Sequence, residues 1–439
     1  MATTKSDLIH TLTSRGYLHQ CTDLAGLDEK AASVIVTGYI GFDATADSLH
    51  IGHLVQIMML RRLQQAGHRP IALMGGGTTK IGDPSGRDET RALLDNAAID
   101  SNIAKIQETF DRFLTFGGTG KTDAILANNA EWLDKLEYIP FLRDIGRHFT
   151  VNKMLTMDSV KLRLDREQPL TFLEFNYMIL QGYDFVELYR RHGCTLQLGG
   201  SDQWGNIVQG VDLGRRIAGA ELFGFTTPLI MTSSGQKMGK SVSGAVWLGA
   251  HRLAPYDYYQ FWRNTEDGDV GRFMKLFTDL PLDEIARYEA LQGAEINEGK
   301  KKLAFEATAL LHGREAAEAA AETARKTFEE GAAGDALPTV TAAATTSVMG
   351  KLNASIGGSP LITPRITVFL NLLDPLIQLG FAASKGEVRR HIASGAVRIE
   401  NEKVTDENYQ FIRENAMEGE LKISMGKKRH GIIKWKAIK

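Results

Sequence analysis

The sequence predicts an α/β protein: a doubly wound domain on a parallel sheet, then a helical region, then a small α+β module. Three observations carry the prediction. Strand-type apolar runs alternate with segments of helical period through the first half of the chain. Two of the strand-to-helix turns bear glycine. Beyond Pro255 the pattern becomes helical and alanine-rich, before a tail that joins a basic helix to a hairpin.

Residues 6–30 read as a helical lead-in, and Val34-Ile35-Val36 as a strand-type run. From its end the stretch Tyr39 to His53 passes through small and polar residues. Leu54, Val55, Ile57, Met58 and Leu60 then recur at helical spacing up to Gly67. In α/β proteins ligands sit at the carboxyl end of such a strand. The helix opens on exposed amides and a positive dipole end, which suit phosphate. His50 and His53 flank Ile51-Gly52 and can donate to an anion, while Gly52 admits close backbone approach. The same histidines serve equally well as caps of the turn. A metal reading lacks both a His-Glu-x-x-His pattern and a nearby cysteine.

Pro70 to Met74 reads as a second strand, closed by Gly75-Gly76-Gly77. The turn-rich Thr78 to Gly86 follows, where Asp83 offers a carboxylate to the same crevice. Residues 89–116 form a helix with Ile106, Phe110 and Phe113 on one face, and residues 123–128 a strand. On the helical segment Phe172 to Phe185, Tyr177, Gln181 and Asp184 share a face: a solvated stripe, or the polar groups of a small-molecule pocket. Another strand, Thr195 to Leu198, runs into Gly199-Gly200-Ser201-Asp202-Gln203, which gathers Gln197, Asp202 and Gln203 at one strand end. Pro228 to Met231 starts the last strand. The Gly/Ser-rich Thr232 to Ser241 carries Lys237 and Lys240, which suit an arm meeting a polyphosphate, although its spacing is not that of a Walker loop.

The 439 residues suffice for two or three domains, and a formal net charge of −2 does not by itself mark a polyanion binder. No apolar run reaches membrane-span length, and the opening residues lack a signal-peptide core. Cys21 and Cys194 allow at most one disulfide, which points to a reducing, cytoplasmic setting. Against the neutral average, Leu421 to Lys439 holds seven Lys/Arg and no Asp/Glu. The expected division is residues 1–226, a nucleotide and small-molecule domain; 227–330, the lysine loop and helices; 331–364, a linker or irregular segment; and 365–439, the tail module.

His50-Ile51-Gly52-His53 followed by Lys237-Met238-Gly239-Lys240-Ser241 resembles the paired signatures of class I aminoacyl-tRNA synthetases. Gly82-Asp83-Pro84-Ser85-Gly86, the Tyr177/Gln181/Asp184 helix and Gly200 to Asn206 narrow the resemblance to bacterial tyrosyl-tRNA synthetases, from about residue 6 to the end. Ala44 stands where relatives usually have proline, Gly239 where the wider signature has serine, and Ile40 where some relatives have cysteine.

The resemblance implies a Rossmann-like catalytic domain that joins L-tyrosine to ATP and then to tRNA(Tyr). His50, His53 and Thr45 would hold the triphosphate, and Lys237 and Lys240 would meet the departing pyrophosphate. Gly41, Asp43, Gly52, Asp202 and Ser241 complete the ATP site. Tyr39 and Asp184 would take the phenol of tyrosine, and Asp83, Tyr177 and Gln181 its ammonium, with Gln203 near the reacting carboxylate. The tail resembles a small RNA-binding module, with Lys385, Arg389, Arg390, Lys427, Lys428 and Arg429 facing RNA. Mg2+ is expected only with ATP, with no protein-bound metal or organic cofactor. Homodimerisation is implied by the resemblance, with no membrane partner. Rival readings are a tryptophanyl enzyme, a small nucleotidyltransferase and an inactive RNA-binding paralogue.

Overall fold

The computed structural model describes residues 4–83, 94–236, 238, 240–241, 244–328, 337–356, 359–406, 409–414, 418–426 and 429–437. The chain packs as two units, one formed by Met1–Gly239, Val246–Leu253 and Phe261–Gly313, the other by Lys240–Ala245, Ala254–Gln260 and Arg314–Lys439.

The first unit is built on a six-stranded sheet. Its strands are β1 (Gln20–Cys21), β2 (Thr37–Phe42), β3 (Arg69–Met74), β4 (Ile125–Asn128), β5 (Cys194–Gly200) and β6 (Phe223–Thr227), in the spatial order β1-β6-β5-β2-β3-β4. All neighbours run parallel except the short edge pair β1–β6. The chain leaves β2 toward β3 and β4, then returns to β5 on the other side of β2. That reversal opens a crevice at the carboxyl ends of β2 and β5, the place where open α/β sheets bind ligands. Tyr39, Ile71, Leu73, Phe185, Leu188 and Leu222 share one buried cluster of this unit.

Two strand boundaries differ from expectation. Val34 and Ile35 are 54% and 44% exposed and precede the sheet, whose ladder begins where Thr37 finds Arg69 and Cys194 as partners. A β-branched run without neighbours is not a strand. The last parallel strand ends at Thr227 instead of starting at Pro228, whose missing N–H cannot join a ladder. The long helix of residues 89–116 is described from Asn96 to Phe113.

The second unit carries a seven-stranded sheet with its own core, including Leu370, Leu376, Val388, Ile392, Ile423 and Trp435. Here the expected linker over residues 331–364 is overturned: Thr339–Ile356 and Ser359–Asn371 are strands paired in an antiparallel hairpin. Their weak periodicity hid them, although Thr, Val and Ile supply the residue types that favour extended backbone. The tight turn at Glu400-Asn401 is present, with φ of 48° and 72°. Strand Val397–Ile399 pairs across it with Glu402–Lys403. Among the described residues, no helix is long and apolar enough to cross a membrane.

Candidate active site

The crevice holds a cavity of about 190 Å³ in the first unit, lined from the strand ends and neighbouring helices. β2 contributes Tyr39 to Phe42, with Asp43 just beyond, β3 contributes Leu73, and β5 contributes Gln197 to Gly199. The helix Ile51–Gln65 adds His53 and Gln56, and the helix Phe172–His192 adds Tyr177, Gln181 and Asp184.

That second helix is locked in register. Thr171 and Glu174 form a reciprocal capping box at its start, and Gly193 closes it at φ 62° in the left-handed region. Three polar groups spaced along one face thus project together into the cavity. Asp184, 2% exposed, accepts hydrogen bonds from Trp132 Nε1 at 2.7 Å and Asn129 Nδ2 at 3.0 Å. Burial pushes its carboxyl up, and these two donors pull it partly back, to about 7. Tyr39, 1% exposed, stands edge-on to Phe185 with its hydroxyl buried and unpartnered within the chain. Burial, with the Asp184 charge adding to it, holds the Tyr39 phenol well above its ordinary value.

Further polar groups pair across the cavity lining. Tyr177 Oη and Thr78 Oγ1 donate to Asp43 Oδ1 at 3.4 Å and 3.3 Å. Asn206 Nδ2 donates to Gln181 Oε1 at 2.8 Å, and Gln203 Nε2 to Asp83 Oδ2 at 3.1 Å. A Cβ on Gly75 would lie 2.7 Å from Asp43 Oδ1, so only glycine leaves that carboxylate its place. The Ala44 amide donates to Thr79 Oγ1 at 2.9 Å, a bond that a proline there could not make.

His50 is the N-cap of the helix Ile51–Gln65. The Gly52 amide donates to His50 Nδ1 at 3.0 Å, and the His50 amide to His53 Nδ1 at 3.3 Å. Each ring uses Nδ1 as acceptor, so in the neutral form its proton sits on Nε2, which is a donor. The two rings lie 4.0 Å apart. Capping and ligand readings therefore hold together: one nitrogen builds the turn and the other is a donor beside the crevice. A Cβ on Gly52 would meet His50 Cε1 at 2.8 Å, so this glycine serves the cap.

With that geometry in view, the chain matches class I tRNA synthetases (W and Y) over residues 33–329, and the tyrosine–tRNA ligase SYY-like C-terminal domain over residues 362–433. It is 60% identical to the tyrosine–tRNA ligase of Zymomonas mobilis, across 98% of each chain. Its identity to the Rhodospirillum rubrum tyrosine–tRNA ligase is 58%, across 99% of each. The chain belongs to the tyrosine–tRNA ligase family. A C-terminally truncated mitochondrial tyrosyl-tRNA synthetase from Aspergillus nidulans is similar in structure, with TM-score 0.65 and 30% identity, covering 73% of this chain and 94% of that one.

Of the residues expected in this tyrosine–tRNA ligase site, Tyr39, Gly41, Asp43, His53, Asp83, Tyr177, Gln181, Asp184, Asp202 and Gln203 line the one cavity. His50 and Gly52 form the cap of the helix that supplies His53 and are outside the lining, as is Thr45, exposed on the preceding loop. Lys237 and Pro84 to Gly86 lie outside the described residues. Lys240–Ser241 are described as strand, paired with Gly244–Ala245. The sequence reading missed Asn129, Trp132 and Thr78. Asn129 directly follows β4, at a carboxyl strand end, and that position was the available signal.

In the tail, Arg389 and Arg390 are exposed on the helix Lys385–Ala393, which Ser384 caps. Lys385 pairs with Asp374 at 2.8 Å, and Arg429 Nη1 donates to the Phe381 carbonyl at 2.9 Å. Lys427 and Lys428 lie outside the described residues. The basic run is not wholly surface, since Lys422 is 8% exposed.

Proposed function

We propose that the chain activates L-tyrosine with ATP to tyrosyl-adenylate, releasing pyrophosphate, and passes the tyrosyl group to the 3′ end of tRNA(Tyr). The single observation that carries the substrate is the pair at the cavity wall: an unpartnered buried hydroxyl on Tyr39 and a buried carboxylate on Asp184. A phenol O–H supplies what both want, since it donates to the carboxylate and accepts from Tyr39. Phenylalanine would leave the Tyr39 hydroxyl unpartnered and bring Asp184 no further donor.

Asp83, Tyr177 and Gln181 take the ammonium, and Gln203 lies near the carboxylate. That carboxylate attacks the α-phosphorus of ATP. The bond to the bridging oxygen breaks, and pyrophosphate leaves with the electron pair. The nucleophile is already an anion, so no general base is needed, and positioning and charge stabilisation supply the rate. His50, His53 and Thr45 hold the triphosphate beside Gly41, Asp43 and Gly52. Asp202 takes the ribose, and Lys237, Lys240 and Ser241 meet the pyrophosphate. Mg2+ enters as the partner of ATP, whose phosphate oxygens suit this hard cation. Lys385, Arg389, Arg390, Lys427, Lys428 and Arg429 meet the RNA backbone.

The chain works as a homodimer. Eight of the thirteen exposed large apolar side chains among the described residues fall between Tyr138 and Leu173, a concentration that supports a buried interface there. Pyrophosphate exchange with a panel of amino acids tests the assignment. Tyrosine alone should support exchange. Tryptophan supporting it instead would move the chain to the neighbouring branch, and no exchange with any amino acid would mark an inactive paralogue.

A further inference from the structure

We infer that Glu266 and Asp269 form a clamp that fixes the turn Thr232–Gln236 ahead of the lysine signature for adenylate formation, with Glu266 as the principal positioning residue. The inference rests on the reading of Lys237 as a pyrophosphate contact. The segment before Lys237 doubles back on itself. The Met238 amide donates to the Ile230 carbonyl at 2.9 Å, the Thr232 amide to Gln236 at 2.7 Å, and the Gly235 amide to Thr232 at 2.9 Å. Gly235 turns the tip at φ 81°, where a side chain would be strained.

The tip is held by acids from elsewhere in the same unit. Ser233 Oγ donates to Glu266 Oε2 at 2.6 Å, the Ser234 amide reaches the same oxygen at 3.0 Å, and Ser234 Oγ reaches Oε1 at 2.7 Å. The Ser233 amide donates to Asp269 Oδ2 at 2.8 Å. Arg272 Nη2 bridges Asp269 Oδ1, at 2.6 Å, to the Met231 carbonyl. Hydrogen bonds from Ser233 and Ser234 hold the Glu266 carboxyl below its usual range, as expected for an acceptor that works as the anion.

The bland alternative is helix capping. Asp269 stands at the N-cap of the helix Val270–Phe277, yet its side chain makes no cap bond and turns to the Ser233 amide instead. Apolar packing holds the base of the turn, where Met238 is 6% exposed, while Leu229 and Met231 beside it are 43% and 37% exposed. The tip of the turn, at Ser233 and Ser234, is held by the two carboxylates. On the far side of the lysine signature the chain is fixed again beside the histidines. The Ile51 amide donates to Val246 at 2.8 Å, and the Leu248 amide to Leu49 at 2.9 Å. The chain is thus anchored at Ile230–Gln236 before the lysine signature and at Val246–Leu248 after it. A misplacement of about 1 Å at a catalytic group costs roughly a hundredfold in rate.

The test is pyrophosphate exchange on the full chain with Glu266→Ala, Glu266→Gln and the double variant Ser233→Ala/Ser234→Ala. Glu266→Ala should lower kcat about 10- to 100-fold, leave the tyrosine Kd unchanged, and be partly restored in Glu266→Gln, which keeps an acceptor. The serine double variant should show the same loss, and adding Glu266→Ala to it should cost nothing more, because the residues act as one unit. The serine variant alone carries the test if Glu266→Ala fails to fold. A kcat within twofold of the parent in either variant, or losses that simply multiply, would overturn the clamp. Lys237→Ala is the separate arm: an unchanged rate there removes the pyrophosphate reading, whereas a lowered rate with a silent Glu266→Ala removes only the clamp.

Discussion

Tyr39 and Asp184 make opposite demands on the fold, and each can be measured. The buried Tyr39 hydroxyl has no partner within the chain, and a buried unsatisfied donor costs about 1–3 kcal/mol. Tyr39→Phe should therefore leave the protein, without tyrosine, as stable as the parent or up to about 1 kcal/mol more stable by urea denaturation. The same change should erode the preference for tyrosine over phenylalanine in pyrophosphate exchange. An unchanged preference would take Tyr39 out of the phenol site. Asp184 sets a pH dependence. Burial raises its carboxyl from 3.8 to about 7, so between these values the folded chain holds a proton that the unfolded chain has lost. The stability this contributes is fully present below about pH 3.8 and is lost as pH rises through about 7. Urea midpoints at pH 5 and pH 8 should drop in the parent and drop less in Asp184→Asn. The comparison is of slopes, since an amide facing Asn129 and Trp132 also changes the level. Equal slopes would mean that the carboxyl titrates normally.

The helix Ile51–Gln65 shows how one element serves fold and chemistry together. His50 Nδ1 accepts the Gly52 amide, a bond that asparagine can also make at an N-cap. His50→Asn should thus keep thermal stability within a few tenths of a kcal/mol, and His50→Ala should lose about 1 kcal/mol. Both remove the Nε2 donor, so both should slow adenylation by about a hundredfold, the scale of one lost transition-state donor. Full exchange activity in His50→Asn would confine His50 to capping. Strong helical period and glycine-bearing turns made this helix, its strand and most of the cavity lining legible in the sequence. Asn129 and Trp132 were not, because they come from a segment whose role appears only once β4 sets it beside Asp184. Val34-Ile35 misled for a related reason. Residue type favours extended backbone there, but a strand also needs neighbours, and these begin at Thr37. The hairpin of Thr339–Ile356 and Ser359–Asn371 escaped notice because its backbone pairing comes without a clear alternation of apolar and polar side chains.

At the scale of the whole molecule, the residues assigned to adenylation and those assigned to RNA differ in the support each has. The cavity lies within the first unit, and the tail sheet has a separate apolar core that includes Val388, Ile423 and Trp435. A basic surface with exposed Arg389 and Arg390 has no part in a reaction between two small molecules, but it suits a phosphate backbone. A chain ended near Gly334 keeps the helix Arg314–Phe328 and loses that core entirely. It should fold, bind tyrosine and exchange pyrophosphate near the full-length rate, with tRNA charging nearly abolished. It retains the exposed apolar run from Tyr138 to Leu173, so it should still sediment as two chains. Full-length tRNA affinity should fall steeply with salt, as counterion release requires. If the tail only completes the fold, the cut costs exchange and thermal stability along with charging. Equal losses in exchange and charging on one truncated preparation would therefore sink the RNA-module reading, while a lone loss of charging leaves the tail no other role than holding tRNA.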